Sequence, residues 1–371
     1  MSIHESGVMP RVHGGVSLDE LAAMGVDLRE TIDFSASINP LGPSPKAVRA
    51  LIDAAQLVQH YPDPDCHRLK YAIERRWHIS PDRIVVGNGS TELIDVMPRA
   101  LSIRSAVIVG PTYAEYVRAV RHAGGRISMV MAKKEEEYRP PLEQVLRRLS
   151  RQRRARPAID AVFICHPNSP TGRPCRPQDL HALFGAAERA GAWVVVDESF
   201  IEYCESLTCL PELPSHGRLI ILRSFTKFYG LPGLRIGYSV SSPHVAEVLR
   251  RSLPPWSVNM VAQRVAEAAL MDDRHAGRCL AYVGRERARV AMQLSSLHGL
   301  TVIPSSANFL LIELPRSFRA RAITAKLRRR GMLIRDCSST EGCTARMIRI
   351  AVRAKHDNDR LLAALAGLVR R

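Results

Sequence analysis

Four short segments of this chain place reactive or hydrogen-bonding side chains directly after strongly apolar runs, at residues 87–92, 166–172, 197–198 and 222–237. In the last of them, Lys227 stands among serine, threonine and small residues, surroundings that lower the pKa of an amine and make it a nucleophile. Asp197 ends another apolar run, where a carboxylate is costly unless a cation pairs with it. A solvated lysine and a strand-end helix cap are the ordinary explanations of these two residues taken singly.

The other two segments carry groups that suit an anionic ligand. Gly89, Ser90 and Thr91 lie between a predicted strand and a predicted helix, and the free N–H groups at the start of a helix form a seat for phosphate. A plain strand–helix turn with a serine or threonine cap explains the same residues equally well. In residues 166–172, two prolines and a glycine fix a loop that presents Asn168.

An alternation of helical patterns with short apolar runs predicts the elements that position these residues. Strands are expected at 84–86, 106–109, 126–130, 161–165, 192–196, 219–222 and 236–240, and helices between them, for example at 91–101, 114–123 and 177–190. Most of the strands are apolar throughout, which is typical of strands buried on both faces. The pattern predicts an α/β fold with a mostly parallel seven-stranded sheet, in which sites form beyond the carboxyl ends of the strands.

After residue 250 the pattern changes to that of a smaller α+β unit. It predicts a helical region at about 259–297, strands at 301–303 and 309–313, a helix at about 319–330, strands near 332–335 and 347–351, and a final helix from about 358. The expected division is an N-terminal arm over residues 1–44 that joins the small domain, a large domain over 45–255 and a small C-terminal domain over 256–371.

Composition restricts the class of protein. The chain has 371 residues, 46% of them hydrophobic and 24% charged, which excludes disordered and fibrous classes. Its 53 Lys and Arg against 36 Asp and Glu give a net charge of +17. The one dense basic run, residues 147–156, is interpreted as a solvated helix end and loop, with a polyanion-binding patch as the alternative. The eight cysteines form no CxxC pair and no zinc-finger spacing, so no metal site is predicted. No apolar run has the length of a membrane span and no secretory signal is visible, so we expect a cytoplasmic protein with no membrane partner.

Taken together, the four segments resemble the class I/II aminotransferases, a family of fold-type I enzymes that depend on pyridoxal 5′-phosphate. The residues that carry the resemblance are HPNSPTG at 166–172, DESF at 197–200 and SFTKFYGLPGLRIG at 224–237. The resemblance covers nearly the whole chain. It implies a large domain that binds the cofactor, a smaller C-terminal domain and an N-terminal arm.

The resemblance also implies roles around the cofactor ring. Lys227 would hold the cofactor as a Schiff base and later move protons, and Asp197 would pair with the pyridine nitrogen and keep it protonated. Asn168 would hydrogen-bond the phenolic oxygen, and Tyr113 would stack on the ring. The chain departs from many family members at Phe200, where they have a tyrosine that donates to the same oxygen.

A second set of residues would hold the cofactor phosphate. These are Ser224, Arg235 and the backbone of Gly89, Ser90 and Thr91. Tyr61 resembles the tyrosine that reaches the phosphate in the neighbouring subunit, which implies a homodimer with its site at the subunit interface.

Within the family, the resemblance is to the branch of histidinol-phosphate aminotransferases and threonine-phosphate decarboxylases. It is carried by the runs HGG at 13–15, DFSASINPLG at 33–42, PWSVN at 255–259 and LIRDCS at 333–338. The implied substrate is a small phosphorylated amino acid, bound by His13, Gly14, Asn39, Arg335 and Arg349. The last of these matches the arginine that takes a substrate carboxylate.

The expected reaction is decarboxylation of L-threonine O-3-phosphate to (R)-1-amino-2-propanol O-2-phosphate, for cobalamin biosynthesis. The first alternative is transamination of histidinol phosphate with 2-oxoglutarate. A narrower one is decarboxylation of serine phosphate, because one methyl group is worth only ~1–3 kcal/mol in a pocket. The alternative of another class is a regulator that binds nucleic acid through its positive charge, which steeply salt-dependent DNA binding would reveal. We expect an enzyme without a nucleic-acid partner, because the N-terminal arm is too short for a DNA-binding domain.

Overall fold

The computed structural model describes residues 31–151 and 158–369. The strands are β1 (Ile32–Asp33), β2 (Ile84–Gly87), β3 (Ser105–Gly110), β4 (Arg126–Met131), β5 (Ala161–Cys165), β6 (Trp193–Asp197), β7 (Leu219–Ser224), β8 (Gly237–Val240), β9 (Thr301–Ile303), β10 (Phe309–Glu313), β11 (Met332–Leu333), β12 (Arg335–Asp336) and β13 (Met347–Ala351). The helices are α1 (Pro45–Ala54), α2 (His67–Trp77), α3 (Ser90–Ala100), α4 (Ala114–His122), α5 (Leu142–Arg151), α6 (Pro177–Ala190), α7 (Pro243–Ser252), α8 (Met260–Leu270), α9 (Asp273–Ser295), α10 (Ala320–Arg328) and α11 (Lys355–Val369).

A seven-stranded sheet in the order β2-β8-β7-β6-β5-β3-β4 forms the centre of the large domain. All its pairings are parallel except the two that β8 makes, which are antiparallel. All seven predicted strands are present. The strands β2, β5, β7 and β8 are buried along their whole length, because helices cover the sheet on both sides.

Alternate residues of each strand feed two separate cores, one on each side of the sheet. In β5, Val162 and Ile164 pack on one side with α2, α5, α6 and α8, whereas Phe163 packs on the other side with α3, α4 and α7. This is the double-sided burial that the continuous apolar runs predict. Among the described residues, no helix combines the length and the apolar character needed to cross a membrane.

The small domain is built on a four-stranded antiparallel sheet in the order β12-β13-β10-β9. A separate parallel pair joins β1 to β11, so the described end of the arm lies in this domain, and Phe34 is buried in its core. The strand predicted at 332–335 is two strands in different sheets, β11 and β12. The chain changes partner between Leu333 and Arg335, which the continuous apolar pattern does not reveal.

The helical region predicted at 259–297 is two helices that break at residues 271–272. Asp272 caps the second helix by accepting a hydrogen bond from the His275 amide. The first helix, α8, contributes Val265 and Ala266 to the core of the large sheet, whereas the later part of α9 contributes Val290 to the small-domain core. The division at residue 255 stays a prediction, and this packing favours a boundary inside α9.

Candidate active site

Three neighbouring parallel strands bring most of the predicted cofactor residues to one edge of the sheet. Cys165 at the end of β5 pairs with Asp197 at the end of β6, and Asp197 pairs with Leu222 near the end of β7. Asn168 and Lys227 follow β5 and β7 by three residues each. Because parallel strands end at the same edge, the loops after them meet there.

Lys227 sits in a cationic and mostly buried environment. Burial, together with the nearby guanidinium groups of Arg349 and Arg235, lowers the pKa of the Lys227 amine to about 8, although the Asp197 carboxylate opposes the shift. Its Nζ lies 5.9 Å from the ring centroid of Phe200, which closes one side of the site with an apolar surface. The amine therefore changes charge near neutral pH, as a covalent attachment point and proton carrier requires.

Asp197 is buried and lacks a salt bridge to any described lysine or arginine. Its Oδ2 accepts a hydrogen bond of 2.6 Å from the Tyr116 hydroxyl and its Oδ1 one of 2.9 Å from the Ser199 amide. Burial raises the pKa of the carboxyl, and these two hydrogen bonds partly offset that rise. A protonated ring nitrogen would supply the cation that such a buried carboxylate requires.

The loop after β5 holds Asn168 rigidly. Its Nδ2 donates to Pro111 O at 2.8 Å and to Thr171 Oγ1 at 2.9 Å. Both N–H groups of the amide are therefore engaged within the protein, and donation to a cofactor oxygen would require one of these bonds to be shared or exchanged. Tyr113 lies at the start of α4, and its hydroxyl is 3.4 Å from Thr91 Oγ1.

The start of α3 forms a phosphate-sized seat against Arg235. Gly89 has a φ of +79°, and a Cβ atom there would lie 2.5 Å from Arg235 Nη2, so only glycine lets the guanidinium approach the helix start. A Cβ on Gly237 would lie 2.6 Å from the Ser90 amide nitrogen. Ser224 is buried at the end of β7, one strand away. Helix N–H groups, a guanidinium and a hydroxyl are the donor set that a phosphate dianion needs.

Arg349 and Arg335 lie directly opposite each other on the paired strands β13 and β12. Arg349 donates from Nη1 to Ser169 Oγ at 2.9 Å and from Nη2 to Ser35 O at 3.0 Å, and its Nε is buried with no hydrogen-bond partner among the residues that the structure describes. Burial, with a smaller contribution from Arg335, lowers the pKa of this guanidinium. A buried cation without a carboxylate partner is a seat for an anion from outside the protein.

Asn39 does not point its amide at this pair of arginines. Its Nδ2 donates to Phe228 O at 2.7 Å and to Cys279 Sγ at 2.9 Å, its Oδ1 accepts from the Leu41 amide, and its own amide donates to Lys227 O at 3.0 Å. The side chain is therefore engaged in holding the Lys227 segment. Its predicted place among the substrate-binding residues has no support in these contacts.

Among the other predicted residues, one lies away from the described site and two cannot be placed relative to it. Tyr61 is 80% exposed and packs on Trp256, with ring centroids 5.1 Å apart. Its predicted role is in a neighbouring subunit, so this exposure is compatible with it. His13 and Gly14 fall outside the described residues.

Sequence reasoning missed the residues that support the predicted ones. Tyr116 was recognisable only as a tyrosine on the inner face of the helix predicted at 114–123. Ser35 and Ser169 lie inside quoted motifs, but their contacts with Arg349 join segments that are far apart in the chain, which no local pattern reveals.

Comparisons with known proteins agree with this geometry. The aminotransferase class I and II family matches residues 29–368. Threonine-phosphate decarboxylase of Salmonella typhimurium is 35% identical over 363 residues, covering 96% of each chain. Histidinol-phosphate aminotransferase of Roseiflexus castenholzii is 34% identical over 361 residues, covering 94% of this chain and 93% of that protein. The crystal structure of histidinol-phosphate aminotransferase from Sinorhizobium meliloti in complex with pyridoxal-5′-phosphate has a TM-score of 0.84 at 26% identity, covering 96% of this chain and 95% of that one.

The expected family, fold class and cofactor are thereby confirmed. The buried carboxylate, the lysine of lowered pKa and the phosphate seat fit the three ends of one cofactor, and the family match extends over both domains. This chain belongs to the class I and II aminotransferases of fold-type I, and it is an enzyme that depends on pyridoxal 5′-phosphate.

Proposed function

We propose that this enzyme decarboxylates L-threonine O-3-phosphate to (R)-1-amino-2-propanol O-2-phosphate, as a cytoplasmic step of cobalamin biosynthesis. The observation that carries the proposal is the pair of arginines on β12 and β13. Arg349 is mostly buried beside Lys227 without a carboxylate partner, and Arg335 lies across from it in register. A substrate with a carboxylate and a phosphate would occupy both.

In this reaction, each residue of the site would have a separate role. Pyridoxal 5′-phosphate, when bound, supplies a sink for the electron pair that is left at the substrate Cα. Arg349 would hold the carboxylate and Arg335 the phosphate, with His13 as a further donor. Holding both ends fixes which bond at Cα is aligned for cleavage. After CO2 has left, the Lys227 ammonium would return a proton to Cα, since its pKa of about 8 lets it carry that proton at neutral pH.

Phe200 also supports a reaction other than ordinary transamination. It is buried, packs edge-on against Phe309 with ring centroids 5.1 Å apart, and faces the Lys227 amine. Many family members have a tyrosine donor at this position. Without that hydroxyl, the cofactor oxygen nearby would be more basic, which changes how protons are distributed during the reaction.

Transamination of histidinol phosphate with 2-oxoglutarate is the second candidate, because a histidinol-phosphate aminotransferase is almost as similar to this chain as the decarboxylase. The two arginines would then serve the two carboxylates of 2-oxoglutarate. Decarboxylation of serine phosphate stays a narrower variant of the first proposal, since a missing methyl group costs only ~1–3 kcal/mol.

We also propose a homodimer in which Tyr61 contributes to the partner's phosphate seat. Six exposed apolar side chains lie close together in sequence, in or between α1 and α2: Val48, Leu51, Ile52, Val58, Tyr61 and Tyr71. A second copy of the chain would cover this surface. Sedimentation equilibrium and a Tyr61→Phe variant with weakened cofactor affinity would test the arrangement.

The deciding experiment incubates the holoenzyme with L-threonine O-3-phosphate and measures CO2 together with the amine product. Release of one CO2 per amine formed supports decarboxylation. Formation of glutamate from histidinol phosphate and 2-oxoglutarate, with no CO2 from threonine phosphate, would replace the proposal by its alternative. Serine phosphate, assayed in parallel, measures the preference for the methyl group.

A further inference from the structure

Outside the active site, two histidines and a glutamate converge on one point of the large domain. His181 lies in α6, Glu212 ends the short 3-10 turn Leu210–Glu212, and His216 follows four residues later, just before β7. The three side chains come from two separate stretches of the chain. No sequence motif predicts this cluster, because α6 comes close to the turn at Leu210–Glu212 only in the folded protein.

The distances within this His–Glu–His cluster suit a metal ion. Glu212 Oε2 lies 3.2 Å from His181 Nδ1 and 3.4 Å from His216 Nε2, and all three ligand atoms are within 4.8 Å of one another. Ligands about 2.0–2.1 Å from a tetrahedral zinc ion are separated by about 3.3 Å. Both contacts are longer than the usual ~2.8 Å of a charge-assisted hydrogen bond.

His216 gives the cluster a second, independent feature. Its side chain is only 11% exposed, and its Nε2 is a buried nitrogen without a hydrogen-bond partner in the described part of the chain, although it lies 3.4 Å from the Glu212 carboxylate. The ring is held by Phe184, with centroids 5.6 Å apart, and by His181, with centroids 6.1 Å apart. A buried polar atom without a partner is uncommon in proteins and calls for a missing ligand.

A second group of possible ligands, Asp63, Asp65 and His67, lacks this feature. The Asp63 carboxylate accepts hydrogen bonds from the amides of Asp65 and His67 at 3.0 and 2.8 Å, as an aspartate does in the turn that leads into a helix. Its oxygens are already satisfied by the backbone. These hydrogen bonds account for the Asp63 oxygens, so the group provides a control.

We propose that His181, Glu212 and His216 form a binding site for a divalent transition-metal ion of the zinc type, with solvent as the remaining ligand. Two imidazoles and a carboxylate are the donors that such ions prefer. The site joins α6 to the segment that leads into β7, and β7 carries Ser224 at its other end. The ion would therefore have a structural role, away from the cofactor.

The test measures binding of Zn2+ alone to the metal-stripped holoenzyme by calorimetric titration, for the natural chain and for the His181→Ala variant. His181 is 71% exposed, so its removal leaves the core intact. We expect about one strong site per chain that the variant loses, with affinity reduced by about 100-fold or more, since even loss of an outer partner costs about 10- to 100-fold. Zn2+ should also raise the Tm of the natural chain and not that of the variant.

Two further variants make the outcome specific. Glu212→Gln should weaken Zn2+ binding as His181→Ala does. His67→Ala, in the control group at the start of α2, should leave Zn2+ binding unchanged. Equal Zn2+ affinity in the natural chain and in His181→Ala would overturn the proposal, and so would loss of the site in His67→Ala alone. Decarboxylase or aminotransferase activity plays no part in these readouts, so the proposal stands or falls independently of the proposed reaction.

Discussion

The large and the small domain each contain an arginine with buried guanidinium nitrogens, and the two arginines differ in their partners. Arg223 in β7 is fully buried; it donates from Nε to Glu198 at 3.0 Å and from Nη1 to Glu205 at 3.3 Å, and it lies over the Trp77 ring. Arg349 in β13 donates to a serine hydroxyl and a backbone carbonyl and lies over the Phe309 ring, and its Nε has no hydrogen-bond partner among the described residues. The protein thus neutralises one guanidinium and leaves the other uncompensated.

The pKa values of Arg223 and Arg349 are shifted in opposite directions. Burial alone lowers the pKa of an arginine, and at Arg223 the carboxylates of Glu198, Glu202 and Glu205 outweigh it and raise the pKa. At Arg349 burial prevails and the pKa falls. A buried cation that lacks a counter-ion gains the most stabilisation when an anion binds to it. If the proposed function holds, Arg223 serves the fold and Arg349 the ligand.

The same substitution at both positions tests this division, with the largest effect expected at Arg223. Arg223→Met leaves the buried Glu198 and the half-buried Glu205 without their cation, which should reduce the free energy of unfolding by about 3–5 kcal/mol. Urea denaturation of the cofactor-free protein measures the change. A loss below about 1 kcal/mol would show that the carboxylates do not depend on Arg223.

Arg349→Met should leave the free energy of unfolding unchanged or raise it, because it removes a desolvated charge that lacks a carboxylate partner. The same change should reduce kcat/KM by about 100- to 1000-fold, as expected when a buried, hydrogen-bonded charge loses its partner. Steady-state kinetics with the phosphorylated substrate measures this loss. A variant that is strongly destabilised would instead place Arg349 with Arg223 among the structural arginines.

A smaller effect is expected at Asn39, which lies between the two domains. Asn39→Ala removes the donor to Phe228 O and should cost about 1–3 kcal/mol of unfolding free energy. Because the side-chain amide of Asn39 holds the segment that contains Lys227, kcat should fall while KM stays nearly constant. A raised KM with unchanged kcat would restore the substrate-binding role that the sequence suggested.

The smallest expected effect concerns the charge of Lys227. Its pKa of about 8 means that the neutral amine gains population as the pH rises through that value. The rate at which the cofactor-free protein captures pyridoxal phosphate, followed by visible absorbance, should therefore rise with pH and level off above about 8. In Arg349→Met the midpoint of this pH dependence should move to higher pH, because loss of a neighbouring cation raises the pKa of Lys227. An unchanged midpoint would show that Arg349 does not contribute to this pKa, which burial and Arg235 would then lower.

The sequence predicts the large sheet and its edge well, because its signals are local. Continuous apolar runs identify β5, β6 and β7, and the motifs after them place Asn168, Asp197 and Lys227 at their ends. The prediction is weaker where a contact joins distant segments. The partners of Arg349 and Arg223, the switch from β11 to β12 and the His–Glu–His cluster all depend on tertiary packing.

The path of residues 32–39 has a consequence for motion. This segment starts as β1 beside β11 in the small domain. Its Ser35 carbonyl accepts a hydrogen bond from Arg349, and its Asn39 backbone amide donates one to the carbonyl of Lys227. A rotation of the small domain, such as anion capture at Arg349 would favour, therefore pulls on the backbone of the reactive lysine through only a few residues. Under the proposed function, this short stretch of chain would couple the arrival of substrate to the position of the amine.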